Sequence, residues 1–394
     1  MIVSLFDWNS MLPLVSLLLL ATQTANEKIE VAVGQSEYRT FCHTEAPHYD
    51  SASRSLFFVD TYVGKVCRHH LKWNATYCTC SLDHVLGSVV PVSNQPDWYI
   101  IGLGPYSAKM YWDGYIPHAE VHILGRHDED AGAGTVFNDG KADCAQRLFM
   151  DTKGNASLFH YTKQSCNFEK DIDNEDGAIY NGIAWNSAND KLFLAETARA
   201  VIYSFDYNIQ IGKISNRSVL FDFKANNVSG LPDGMAMDVD DNLWVAAIFG
   251  SYVYQISTRN GTLLRAVKMP ARDVTSVIWG GPKLDILFVT SSQHNLNDEE
   301  KRQQPRAGSV FAVRGLGTRG RRGNNAAICT AGCAEDGCSR SRCGQEVASP
   351  PASEFRRRWL PILSGAFAFL RRDSVLFWRF SRGKPSKIEL LPWA

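Results

Sequence analysis

The stretch that decides the fold is LPDGMAMDVDDNLWVAA, residues 231–247. It sets Asp233 in a tight Pro-Asp-Gly turn, then gives a short apolar run, a polar turn and a second apolar run. Runs like the second recur at Leu56–Thr61, Trp98–Gly102, Leu148–Thr152, Leu192–Thr197, Leu243–Ala247 and Leu287–Ser291. Their starts are 42, 50, 44, 51 and 44 residues apart, the spacing of propeller blades. A β-branched or aromatic run follows each: Val66-Cys67, Met110–Trp112, Leu158–Tyr161, Val201–Phe205, Tyr252–Ile256 and Val310–Val313. Long amphipathic helical windows are absent from the sequence. It therefore predicts an all-β fold, a six-bladed β-propeller over 26–320 with a metal site in its central channel. A two-sheet sandwich would account for the strands but not for the period.

The chain has 394 residues, 45% apolar and 21% charged, which suits a globular core. Its formal charge of zero hides an asymmetry. From Arg321 onward there are 13 Lys and Arg against 6 Asp and Glu, leaving 28 against 35 before it. An acidic body argues against nucleic acid as the partner and accommodates a cation.

The ends differ from the body. Met11–Ala21 is a short apolar run, too short to span a bilayer but suited to a signal peptide over residues 1–25. The leader before it holds Asp7 and no Lys or Arg, so translation from Met11 is an alternative start. Sequons at Asn74, Asn155, Asn216, Asn227 and Asn260 point the same way, to a secreted glycoprotein, with the cytoplasm as the alternative. Six body cysteines (Cys42, Cys67, Cys78, Cys80, Cys144 and Cys166) allow 15 pairings, and the spacing does not choose. The basic tail, 321–394, adds Cys329, Cys333, Cys338 and Cys343 at spacings that match no zinc knuckle. Its apolar run, Trp359–Leu370, is too short for a transmembrane segment. We read the tail as a disordered appendage.

The chemistry lies in phase with the repeat. Glu45 is 11 residues before Leu56, Asn138 is 10 before Leu148, Asn181 is 11 before Leu192 and Asp233 is 10 before Leu243. Any one of them suits an ordinary turn. Four in phase, on strands that surround one axis, make a ring of oxygen donors. Two carboxylates and two amides, without Cys or His, suit a hard cation. His43 and His48 flank Glu45 and read as exposed loop histidines.

These residues also carry a resemblance. FNDGKAD (137–143), NGIAW (181–185), FDYNIQIGKISNRSVLFDF (205–223), LPDGMAMD (231–238), VTSVIWGGPKLDILFVTSS (274–292) and GLGTRG (315–320) resemble the regucalcin/gluconolactonase family. That family includes the luciferin-regenerating enzymes of beetles. The resemblance, over about Glu45 to Gly320, implies a six-bladed propeller, one divalent cation and lactone hydrolysis. Ca²⁺ comes first, with Zn²⁺, Mn²⁺ and Mg²⁺ as alternatives. Carried over by motif, Glu45, Asn181 and Asp233 are the metal ligands; mechanistically, Asp233 is the candidate catalytic base for a water on the cation. Asn138 and the position of Val136 bind substrate. The family has Arg where Val136 stands and an acidic residue where Ala156 stands, so the departure implies a less polar small-molecule lactone, weaker activity, or a loop rearrangement that supplies other contacts. A non-catalytic calcium-binding or ligand-binding propeller and a luciferin-regenerating type of enzyme are the alternatives.

Overall fold

The computed structural model describes residues 27–34, 40–126, 134–163 and 165–329. The expected leader lies outside the described residues, as does the tail from 330 onward.

β1 (Lys28–Val33) comes first. β2 (Thr44–Asp50), β3 (Ser55–Asp60), β4 (Lys65–His70) and β5 (Ala75–Cys78) form an antiparallel sheet in chain order. β6 (Leu86–Pro91), β7 (Trp98–Leu103), β8 (Tyr106–Tyr111) and β9 (Glu120–Arg126) form the next. A six-stranded sheet follows, of β10 (Val136–Ala142), β11 (Leu148–Thr162), β12 (Asn167–Trp185), β13 (Lys191–Glu196), β14 (Val201–Asn208) and β15 (Lys213–Asp222). β16 (Leu231–Met237), β17 (Asn242–Ile248), β18 (Tyr252–Ser257) and β19 (Leu263–Lys268) form another. The last sheet contains β20 (Asp273–Gly280), β21 (Ile286–Ser292) and, after the short helix α1 (Asp298–Gln303), β22 (Val310–Arg314). Its outer strand is β1, which pairs antiparallel with β22 and so ties the start of the described chain to its end.

The fold is all-β. Strands β2, β6, β10, the C-terminal half of β12, β16 and β20 touch one another in succession, and β20 touches β2, so these strands close a ring. The runs singled out in the sequence are the strands next to them. Leu243, Trp244, Val245, Ala246 and Ala247 are fully buried, because β17 is covered on both faces. Trp244 meets Trp279 of β20 edge to face at 5.4 Å, filling the space between two sheets.

Every strand of the ring carries a β-bulge. The register shifts between Glu45 and His48, Leu86 and Val89, Phe137 and Gly140, Asn181 and Ile183, Pro232 and Met235, and Val274 and Val277. Bulges re-aim side chains and are favoured beside functional sites. Asp233 therefore does not occupy a tight turn, as its Pro-Asp-Gly setting suggested. It sits in the bulge of a buried strand.

The chain also does not leave the body at Gly320. Gly320 bridges to Asp238, Asn324 to Ala142 and Ala326 to Val92, and Asn325 lies 3.2 Å from His48 Nε2. Ala326, Ala327 and Ile328 are buried. Cys329 is then bonded to Cys166. Residues 321–329 are thus a strap across the ring rather than part of an appendage. An apolar Ala-Ala-Ile segment next to a cysteine was the sequence signal for it. A second disulfide among the described residues, Cys67–Cys78, joins β4 to β5, while Cys42, Cys80 and Cys144 are free.

Candidate functional site

Glu45, Asn138, Asn181 and Asp233 all fall in ring bulges, and all are buried. The Asn138 side-chain amide donates to the Tyr180 carbonyl at 2.8 Å and to Asn181 Oδ1. Asn181 Nδ2 donates to Thr197 Oγ1 (2.6 Å), and that hydroxyl donates to the Pro232 carbonyl (2.7 Å). One hydrogen-bonded chain thus runs from β10 through β12 and past β13 to the residue before Asp233. Gly182 permits the approach: a Cβ there would come within 2.6 Å of the Asp233 carbonyl oxygen. Any larger residue would push the two strands apart.

The carboxylates are joined electrostatically. Burial pushes Glu45 up to about 7, against opposing hydrogen bonds from the Ala46 N–H and from Thr275 and Ser276. Burial, and then the charges of Glu45 and Asp139, raise Asp233 well above the ordinary carboxylate range. Asp139, next to Asn138 in the same bulge, is pushed up to about 7 by burial and then by Glu45. Desolvation acts because a carboxylate loses its hydration when buried, and like charges nearby add to the cost. Asp139 was missed in the sequence because its neighbour Asn138 held the in-phase position. Its own N–H is held by Asp151 Oδ1 at 3.0 Å.

Two further polar residues complete the ring. Ser88 and Ser276 lie in the bulges of β6 and β20, 10 residues before Trp98 and 11 before Leu287. The same count that singled out the other four would have found them. A cavity inside the ring is lined by Ala46, Pro47, His48, Val89, Asp139, Gly140, Lys141, Ile183 and Ser276. Lys141 Nζ donates to the Met235 carbonyl at 2.7 Å, and burial lowers it to about 8.

The histidines are not exposed loop residues. His43 and His48 are both buried, and desolvation lowers them to about 3 and about 4. His43 Nδ1 lies 2.8 Å from Ser292 Oγ, and its Nε2 is 3.5 Å from Glu45 Oε2. Tyr62 packs edge-on to His43 at 5.0 Å and stacks on His294 at 4.0 Å. Lys153 Nζ lies over the Tyr62 ring at 5.8 Å, and its charge acts on Glu45, Asp139 and Asp233. Val136 is buried at the start of β10, directly across from Lys153, and Ala156 is fully buried in the core. Neither offers a polar group.

Among the described residues no group of three or more His, Cys, Asp or Glu forms a ready-made metal cage. The donors at the bulges are carboxylate and amide oxygens instead. Buried carboxylates that repel one another, Glu45, Asp139, Asp151 and Asp233, are relieved by a proton or a hard cation, so the residues fit a divalent ion.

A ring of antiparallel sheets with an acidic, oxygen-lined centre defines an all-β protein of the propeller type. The chain belongs to the family described as SMP-30/Gluconolactonase/LRE-like region, whose model matches residues 43–293. It is 32% identical to regucalcin from Sus scrofa over 297 residues, 72% of this chain and 94% of that protein. A luciferin-regenerating enzyme superposes with a TM-score of 0.71 at 28% identity, covering 77% of this chain and all (100%) of that one. A calcium-binding regucalcin from Agrobacterium tumefaciens shares the fold, with a TM-score of 0.66 at 18% identity over 76% of this chain and 98% of that one.

Proposed function

We propose that this protein is a secreted, divalent-metal-dependent lactonase built as a six-bladed propeller. The six-stranded sheet counts as two blades, and each ring strand is the innermost strand of one blade. Glu45, Asn181 and Asp233 are the metal ligands, with Ca²⁺ the first candidate and Zn²⁺, Mn²⁺ and Mg²⁺ compatible with the same oxygens. The observation that carries the reading is the meeting, in the bulges of separate strands, of mutually coupled carboxylates and the Asn138–Asn181 pair.

A bound cation supplies polarisation of the lactone carbonyl and a water of lowered pKa. The chain's residues do the rest. Asn138, fixed by its bonds to Tyr180 and Asn181, orients the substrate. Asp233 takes a proton at its carboxylate, the general-base role. Val136 gives the substrate an apolar wall, and Lys153 supplies the positive charge at that side of the site. The Cys67–Cys78 and Cys166–Cys329 disulfides and the sequons support secretion.

The buried, apolar Val136 and Ala156 favour a second reading, a calcium-binding or ligand-binding propeller without turnover. One experiment separates the two. Protein stripped of metal is assayed on aldonolactones and aliphatic lactones with Ca²⁺, Mn²⁺, Zn²⁺ or Mg²⁺ restored. Hydrolysis that depends on the cation supports the lactonase. Cation-dependent thermal stabilisation with no turnover, while a functional relative works in parallel, supports the second reading.

A further inference from the structure

The sequons fall into two kinds. Asn155 lies on β11, and the serine of its sequon, Ser157, is fully buried with its N–H bonded to Thr152 Oγ1 at 2.9 Å. Asn74, Asn216, Asn227 and Asn260 are all exposed, on turns or on the outer strand β15. Asn74 forms the β4–β5 turn, and β5 is the outermost strand of its sheet. The Cys67–Cys78 disulfide closes the same hairpin.

Beside Asn74 lies an aromatic patch. Trp73 is 55% exposed, stacked by one face on His70 at 3.9 Å, and 6.5 Å from Tyr115. Tyr115 is 42% exposed and meets Tyr77 at 5.3 Å, and its neighbour Ile116 is 56% exposed. A cluster of this kind at a sheet edge invites association unless something covers it. The segment that holds it is fixed: Trp112 Nε1 donates to the Ile116 carbonyl at 2.6 Å, and Cys80 N–H to the Pro117 carbonyl at 2.7 Å. The patch therefore does not fold away on its own.

We propose that Asn74 carries an N-linked oligosaccharide whose first sugars lie on Trp73 and Tyr115 and shield this patch. The glycosidic bond forms at Asn74 Nδ2, the oligosaccharide coming from an activated lipid-linked donor in the secretory pathway, with the lipid diphosphate as leaving group. An apolar sugar face against an indole ring is buried like any apolar surface, and the sugar hydroxyls remain in water. The proposal rests on the secretion reading but not on lactone hydrolysis.

The test expresses the full chain in insect cells, and in a parallel arm the same chain from residue 27 behind a foreign secretion leader. Glycopeptide mass spectrometry after enzymatic deglycosylation in ¹⁸O-water then reads each asparagine. Occupied Asn74 with unoccupied Asn155 is expected. Asn74→Gln should bind an apolar-surface dye several-fold more strongly and self-associate at lower concentration, and Trp73→Ser in that background should reverse both. An unmodified Asn74 in secreted protein overturns the proposal. So does an occupied Asn74 whose loss leaves dye binding and association unchanged. If only the foreign leader delivers the protein to the medium, the secretion reading fails and takes with it the claim that the native chain carries this sugar, whatever the occupancy of Asn74 in that arm.

Discussion

Lys153 stands directly across the β10–β11 ladder from Val136, so a positive charge reaches the site from the strand beside the apolar position. Its ammonium acts on Glu45, Asp139 and Asp233. Lys153→Met is expected to lower lactone kcat/KM about tenfold, or about 1.4 kcal/mol. Lys153→Arg should keep most of the activity. Steady-state kinetics on the two variants checks this, and equal losses in both would show that charge is not what Lys153 contributes.

The sequence made much of this legible. The six buried runs kept their period because each second strand is covered on both faces and so reads as continuous apolar sequence. Glu45, Asn138, Asn181 and Asp233 were legible because a bulge recurs at one place in every ring strand. The bulge itself was not, since Pro-Asp-Gly and Asn-Asp-Gly have the composition of turns and only the cross-strand register tells them apart. Lys153 was hidden because its place depends on the pairing of β10 with β11. His48 read as an exposed loop residue because what buries it includes Asn325, 277 positions along the chain.

Asp233→Asn should stabilise the protein when divalent ions are absent. The change removes one of several buried carboxylates that repel one another, and about 1–3 kcal/mol is expected. With Ca²⁺ in excess the order should reverse, because only the wild type gains from binding. Thermal melts in chelator and in Ca²⁺ read both signs. A variant less stable than wild type in chelator would contradict the repulsion.

His48 makes stability depend on pH. Burial lowers it from 6.5 to about 4, outweighing the nearby Asp50 carboxylate and the Asn325 hydrogen bond, which favour protonation, while Lys141 opposes it. The unfolded chain therefore binds the proton first as pH falls. The stabilisation is present in full above pH 6.5 and is lost on descending to about 4, an effect of up to about 3 kcal/mol. In denaturant unfolding, His48→Gln should lose less stability than wild type between pH 7.5 and 4.5. Equal losses would remove His48 from the account.

The strap predicts an order of disulfide effects. Cys166 and Cys329 are 163 residues apart, and Cys67 and Cys78 only 11. From chain entropy the long link contributes about 5 kcal/mol and the short one about 3 kcal/mol. Replacing the first pair by serine should lower the melting temperature more than replacing the second. The reverse order would mean that residues 321–329 contribute little to holding the ring.

The central claim is that ring bulges far apart in the chain build one cation site. Calcium titration of chelator-treated protein by calorimetry tests it most directly, with wild type, Asp233→Ala and Glu45→Gln side by side. We expect one site per chain in wild type and its loss in both variants, which should still unfold cooperatively. Binding of equal stoichiometry and affinity in all three proteins, or no binding of any divalent ion by folded wild type, would contradict the account.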